Sequence, residues 1–150
     1  LGGSNFGLKL VNYLKEYKKE NFIIFGGKLD ITNLPKHIKH IRYTPDFLKY
    51  LKVCKGIITL GGQKTLSEAL IYKKPTLCFP INDHIEQQLN AFALKDLILV
   101  SKKHSKKDFN KIFTKFLKEL PVLQKKVNNY NLKANGDKQF AKVVEIALND

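Results

Sequence analysis

A chain of 150 residues with 43% hydrophobic side chains and a mean hydropathy of -0.26 is long enough for one buried core and has the balance of a soluble globular domain. No apolar run reaches the roughly 18 residues of a membrane span and nothing has the form of a signal peptide, so the expectation is a cytoplasmic protein. The formal charge of +14 raises nucleic acid as a partner, but Arg42 is the single arginine and lysines spread along helix faces form an ordinary solvated surface. Nucleic acid is therefore discounted, while attraction to an anionic membrane surface stays among the expectations.

The opening LGGSNFG has the form of a strand end and its glycine turn, with Gly3, Ser4 and Asn5 as candidates for a phosphate loop. The same residues also fit a plain strand-to-helix turn. Because the chain opens this way and contains no methionine, it is expected to be a piece of a longer polypeptide that lacks its first strand. Leu8, Val11, Leu14 and Tyr17 recur at helical spacing and predict a helix over 8–17. Residues 21–25 (NFIIF) predict a strand closed by Gly26 and Gly27, and 38–43 (IKHIRY) alternate like a strand with one exposed face. His37 and His40 form an H-x-x-H on a loop-to-strand stretch, where the two rings do not share a face, so no metal site is expected. Residues 45–53 predict a short helix with Pro45 near its first turn. Tyr43 and Thr44 then lie in a loop placed to hold a flat base, or to serve as a simple connector.

Residues 61–91 hold most of the functional information. The GIITL run at 56–60 predicts a buried strand, and Gly61 with Gly62 lets the backbone turn sharply and approach a ligand. A helix follows, with Leu66, Ala69 and Leu70 on one face and Thr65, Glu68 and Tyr72 on another, and Pro75 ends it. A strand, a glycine turn and a helix start leave N–H groups unpaired at the positive end of a helix dipole, which suits a phosphate. Glu68, one turn inside, can accept two hydrogen bonds from a vicinal diol such as ribose. Residues 65–68 (TLSE) equally have the form of a capping box, in which Glu68 serves only the helix. A second buried strand over 75–79 and a PIND turn over 80–83 then deliver Glu86, Gln87 and Asn90 onto a second helix start, with His84 on the loop that enters it.

Downstream, that helix runs to Asp96, residues 97–101 (LILVS) predict the last strand, and 105–117 an amphipathic helix. Pro121 is expected to break the helical run, with further helical segments over 122–132 and 137–148. Cys54 and Cys78 each sit in or beside a predicted strand, which suits buried small hydrophobes better than a redox pair. No repeat or low-complexity linker is visible. Strands alternating with helices predict an α/β fold with a parallel, doubly wound sheet covered on both faces, a three-layer α/β/α domain. In such sheets ligands bind outside the carboxyl ends of the strands.

The pattern G-G-x-x-T-x-S-E-A, then x-P, then P, then E-Q-x-x-N-A resembles the C-terminal, donor-binding domain of GT-B nucleotide-sugar glycosyltransferases. It is most similar to the peptidoglycan lipid N-acetylglucosaminyltransferase and, more distantly, to the UDP-glycosyltransferase group. The resemblance implies that Tyr43 and Thr44 hold uracil and that Gly62 with Thr65 meets the diphosphate, with Gly61 also among the donor-binding residues. It further implies that Glu68 binds the ribose hydroxyls and that Glu86, Gln87 and Asn90 address the sugar. Glu86 stands where the peptidoglycan enzyme has Gln, which leaves the sugar open. The implied activity is inverting, metal-independent transfer from a UDP-sugar resembling UDP-GlcNAc, with no cofactor.

A general base is absent from this pattern, and the resemblance places it in an amino-terminal acceptor domain. The chain alone is accordingly expected to be inactive; His84 is the local candidate for a base but is expected to touch donor, as one of the donor-binding residues, or solvent, with a surface histidine at a helix start as the plain alternative. Competing readings are a nucleotide-sugar hydrolase or epimerase on the same fold, and a non-catalytic donor-binding subunit of a split transferase.

Overall fold

The computed structural model describes residues 5–26 and 33–131. In chain order these form α1 (Asn5–Leu14), β1 (Phe22–Phe25), β2 (Ile38–Ile41), α2 (Phe47–Val53) and β3 (Ile57–Thr59), followed by α3 (Gln63–Ile71), β4 (Thr76–Cys78), α4 (Ile85–Ala93), β5 (Leu99–Val100) and α5 (Lys106–Asn129). Every strand pair is parallel. β1 pairs with β2 in the register Phe22 to Ile38, and β4 lies between β3 and β5 with Ile57 opposite Thr76 and Leu77 opposite Leu99. Parallel neighbours need a crossover, and the helices between them supply it. The α/β class is as expected from the sequence, with the difference that the hydrogen bonds divide the strands into sheets of two and three.

β4 shows why the domain has three layers. Its side chains and that of Phe79 are wholly buried and alternate in direction. Leu77 and Phe79 join a core with Leu10 and Leu14 of α1 and with Phe109, Phe113 and Phe116 of α5. Cys78 points the other way, into a smaller cluster with Leu66 of α3, Ala91 of α4 and Ile98. A strand covered on both faces reads as a continuous apolar run, and TLCF obeys this. Cys54, by contrast, is only half-buried, and its thiol donates to the Leu51 carbonyl at 3.2 Å.

Pro121 does not end α5. The helix begins at Ser105, whose hydroxyl accepts from the Asp108 amide at 3.2 Å, and continues through the proline to Asn129. Pro121 is exposed, while Leu123 and Val127 extend the buried stripe of the phenylalanines beyond it. A proline inside a helix costs about 3 kcal/mol. Burying two such side chains contributes about 1.5–3 kcal/mol each, so the stripe outweighs the break. α1 also differs from expectation: it starts at Asn5 and stops at Leu14, where turns carry the chain to Tyr17. The segment expected to be helical over 137–148, and residue 132 of the one before it, lie outside the described residues.

Two substitutions test this packing. A Cβ on Gly56 would stand 2.9 Å from Phe116 Cζ and 3.2 Å from both Leu120 Cδ2 and the Pro75 carbonyl. Gly56→Ala is expected to cost about 1–3 kcal/mol in urea unfolding, as overpacking does; an unchanged midpoint would show that α5 sits less tightly on β3. His104 stacks on Phe6 with centroids 4.2 Å apart, and its Nε2 is buried without a partner. Burial lowers its pKa below 6.5, against the opposing effect of a hydrogen bond to the Pro80 backbone. The unfolded chain thus binds a proton before the folded one does, and stability falls as pH drops below about 6.5. His104→Phe should lose less melting temperature between pH 7.5 and 5.5 than the parent chain; identical losses would assign the acid sensitivity elsewhere.

Candidate functional site

The carboxyl end of β3 runs into the two glycines, which have different jobs. Gly61 has φ +93, a backbone state that side chains rarely adopt, and its amide donates to the Thr59 hydroxyl at 3.3 Å. A Cβ there would meet the Gln87 carbonyl at 3.1 Å and Cys78 Sγ at 3.2 Å. Gly61 is therefore buried, with the side of its absent Cβ packed against α4. Gly62 is the open one: nothing lies within 4 Å of the position of its absent Cβ.

Gly62 is also the N-cap of α3 and offers no capping side chain. The first helical bond is donated by Leu66 to the Gly62 carbonyl, at 3.1 Å. The amides of Gln63, Lys64 and Thr65 consequently point out of the helix start with no intrahelical acceptor. Thr65 is the third residue of α3 and not its cap, so the capping-box form of TLSE is not realised. Thr65 and the half-buried Glu68 are three residues apart and share a helix face. Leu66, Ala69 and Leu70 hold the opposite face in the core, as the spacing predicted.

α4 is tied to both strand-end loops. Gln87 Oε1 accepts from the Ile81 amide at 3.1 Å, and Asn90 Nδ2 donates to the Gly61 carbonyl at 3.1 Å. These carboxamides each use one end on the scaffold, a role that the sequence pattern alone does not reveal. His84 is the exposed N-cap of α4 and makes no side-chain cap bond; Glu86, also exposed, lies in the first turn.

A cavity of about 1020 Å³ opens at this end, and Gly62, Thr65, Ile81, His84 and Gln87 all line it. Five residues from two helix starts and two loops are thereby brought to one mouth. Glu68, Glu86 and Asn90 stand off its lining. So do Tyr43, which is 84% exposed, and Thr44, whose hydroxyl accepts from the Asp46 amide at 3.0 Å to set up the start of α2. Gly3 and Ser4 lie outside the described residues, and Asn5 opens α1. Phe6, next to it, packs against Phe79 and His104, which fixes the start of α1 at the carboxyl ends of β4 and β5.

The floor of the site is chemically quiet. Burial pushes the Cys78 thiol up to about 12, so under Gly61 it acts as a packing group and not as a nucleophile. His40 meets the Gly26 carbonyl at 3.0 Å, while His37 packs against Phe22. Among the described residues no three His, Cys, Asp or Glu side chains gather as a metal-binding group, and no helix is long and apolar enough to cross a membrane. His104 is a half-buried side chain with a buried ring nitrogen that sequence reading passed over. It lies in the charged run SKKHSKK, where nothing distinguishes it from its solvated neighbours.

The model of the family described as glycosyl transferase family 1 matches residues 4–121. An uncharacterized glycosyltransferase of Methanopyrus kandleri is 39% identical over 100 residues, which cover 60% of this chain and 27% of that protein. Another, of Methanosarcina acetivorans, is 34% identical over 77 residues, covering 49% of this chain and 20% of that one. The chain thus spans a small part of the length of the curated relatives it matches. Among solved structures, spinosyn forosaminyltransferase SpnP superposes with a TM-score of 0.64 at 17% identity, over 91% of this chain and 39% of that one. Glycosyltransferase VinC, solved in complex with DTDP, gives 0.62 at 18%, over 92% and 37% respectively. These neighbours are GT-B glycosyltransferases, and at such identities the likeness establishes a shared fold. With residues 4–121 inside the family model, the chain belongs to glycosyl transferase family 1.

Proposed function

We propose that this chain is the donor-binding half of a glycosyltransferase that uses a nucleotide-diphosphate sugar, of the UDP-GlcNAc kind. The observation that carries the reading is the uncapped start of α3 at Gly62, which opens on the same mouth as Thr65, His84 and Gln87. Free amides at a helix start suit a diphosphate, and they also suit the charge that develops on it as the glycosidic bond breaks. Leaving-group stabilisation from that source needs no divalent cation. Attack from the face opposite the leaving group would invert the anomeric centre. Glu68, on the Thr65 face of α3, is proposed to accept from the ribose hydroxyls, and Tyr43 and Thr44 to border the base. Gln87 and Asn90 have a second carboxamide end each for the sugar, and Glu86 lies beside them on α4. The dTDP bound to the solved relative VinC supports a nucleotide ligand on this fold.

No described side chain is placed as a general base, since His84 is an exposed helix cap. The acceptor hydroxyl must lose its proton to a group on a facing wall. An acceptor domain or partner subunit is proposed to supply that wall, with the basic surface drawn toward an anionic membrane.

Calorimetry against UDP, dTDP and UDP-GlcNAc tests the reading. Glu68→Ala should weaken nucleotide binding by about 1.5–3 kcal/mol without moving the melting temperature, the range for a hydrogen bond to a charged group. Unchanged affinity together with a lower melting temperature would make Glu68 structural. Treatment with EDTA should leave nucleotide affinity as it was. The 150-residue chain should bind donor yet transfer no sugar, because without the second wall positioning is lost. Transfer to any acceptor above the Glu68→Ala background would overturn the two-part site.

A further inference from the structure

α4 carries its polarity the wrong way round for a surface helix. Its carboxamides Gln87 and Asn90 bond to the scaffold, while Ile85, Leu89 and Phe92 are 76%, 62% and 64% exposed. Spaced four and three residues apart, the three fall on one stripe along the outer side of the helix. A helix at the surface of a monomer normally shows the reverse, polar outward and apolar inward. We propose that this stripe is the interface with a second copy of the chain, two α4 helices packing antiparallel about a twofold axis at Leu89. The inference does not rest on the donor reading, since none of the three residues lines the cavity.

Little within the domain shields the stripe. Gln88, the polar residue beside it, folds back so that its amide donates to the Asn82 carbonyl. Lys95 lies over the Phe92 ring with its Nζ 4.5 Å from the centroid, and so closes one end only. A contiguous apolar patch of this kind marks an interaction site.

Charge selects the occupant. The chain carries +14, so copies of it repel one another. That charge is unevenly spread between the two helical layers. Residues 5–20 and 102–130, which hold α1 and α5, have thirteen lysines against four carboxylates; residues 63–74 and 83–96, which hold α3 and α4, have four against four. Of these two layers, the α3–α4 one lets a second copy approach without the repulsion, and it is the layer that bears the stripe. A nucleic acid or an anionic bilayer would be drawn to the opposite layer.

The two ends of the stripe fix the direction. The exposed Asp83 and Glu86 stand at its start, while at its end Lys95 and Lys126, whose Nζ reaches the Asp96 carbonyl at 3.4 Å, outweigh Asp96. Antiparallel packing sets each acidic start against the basic end of the second copy, whereas parallel packing sets like against like. A twofold axis produces the antiparallel arrangement, with Ile85 against Phe92 of the second copy. Three side chains are few beside the roughly 1,600 Å² of a standard interface, so the pair is expected to be weak, with a Kd of about 10–100 µM.

Sedimentation velocity of the 150-residue chain, from about 1 µM to about 500 µM, brackets that Kd. The mass should rise with concentration from 17.2 kDa toward twice that value. Leu89→Lys should weaken the pairing about tenfold or more with the melting temperature of the dilute chain unchanged, and Ile85→Lys provides the same readout if Leu89→Lys does not fold. Asp83→Lys and Lys95→Asp should each weaken it, and the two together in one chain should restore it. Lys95→Asp lowers the net charge, so a loss of pairing there cannot come from general repulsion. Association that Leu89→Lys leaves unchanged would overturn the proposal, because the interface would lie elsewhere. A monomer at every concentration would overturn it as well. Uptake of the parent chain but not of Leu89→Lys by phosphatidylcholine vesicles, or nuclear Overhauser effects from the Phe92 ring to residues 132–150, would then identify what covers the stripe instead.

Discussion

The burial of β4 on both faces is the constraint on which the other elements depend. Thr76, Leu77, Cys78 and Phe79 are all fully buried, and their alternation assigns α1 and α5 to one layer and α3 and α4 to the other. Removing an interior side chain of this size typically costs 2–5 kcal/mol, because the cavity left behind cannot fully close. That exceeds what any surface ion pair here contributes: Lys106 and Glu16, 2.5 Å apart with both side chains about half exposed, belong to a class worth about 0–1 kcal/mol. The site inherits its position from this strand. Pro80 and the loop after it start at its carboxyl end, and so does the bond from the Phe79 amide to the Thr59 carbonyl, which aligns β3 beside it.

Much of this was legible in the sequence, because it rests on local periodicity. The strands FIIF, IIT and TLC, the buried face of α3 and the glycine turn each announce themselves within ten residues. Other features depend on partners far away along the chain. α5 survives Pro121 because Leu123 and Val127 find the core, which the proline itself cannot signal. The TLSE pattern resembles a cap, yet the helix starts three residues earlier because Gly62 makes the turn. Asn90 reaches back 29 positions to Gly61, and Tyr13 reaches 91 positions to the His104 carbonyl, distances at which sequence spacing carries no information. The family resemblance pointed to residues 61–91, and the structure adds which of them meet: Gly62, Thr65, His84 and Gln87 at one mouth, with Tyr43 and Glu68 outside its lining.

The hydrogen bond from Asn90 to Gly61 and the contact of Gly61 with Gln87 and Cys78 have a consequence for redesign. They tie the start of α3, α4 and the strand beneath to one another, so a ligand spanning both helix starts, as proposed, would be read by linked elements. Selectivity for the two ends of such a ligand is then not modular. Exchanging α4 for that of a relative would change the seat of Gly61 and with it the angle at which α3 presents its amides. A graft that alters one end alone would have to carry the glycine turn along with the helix.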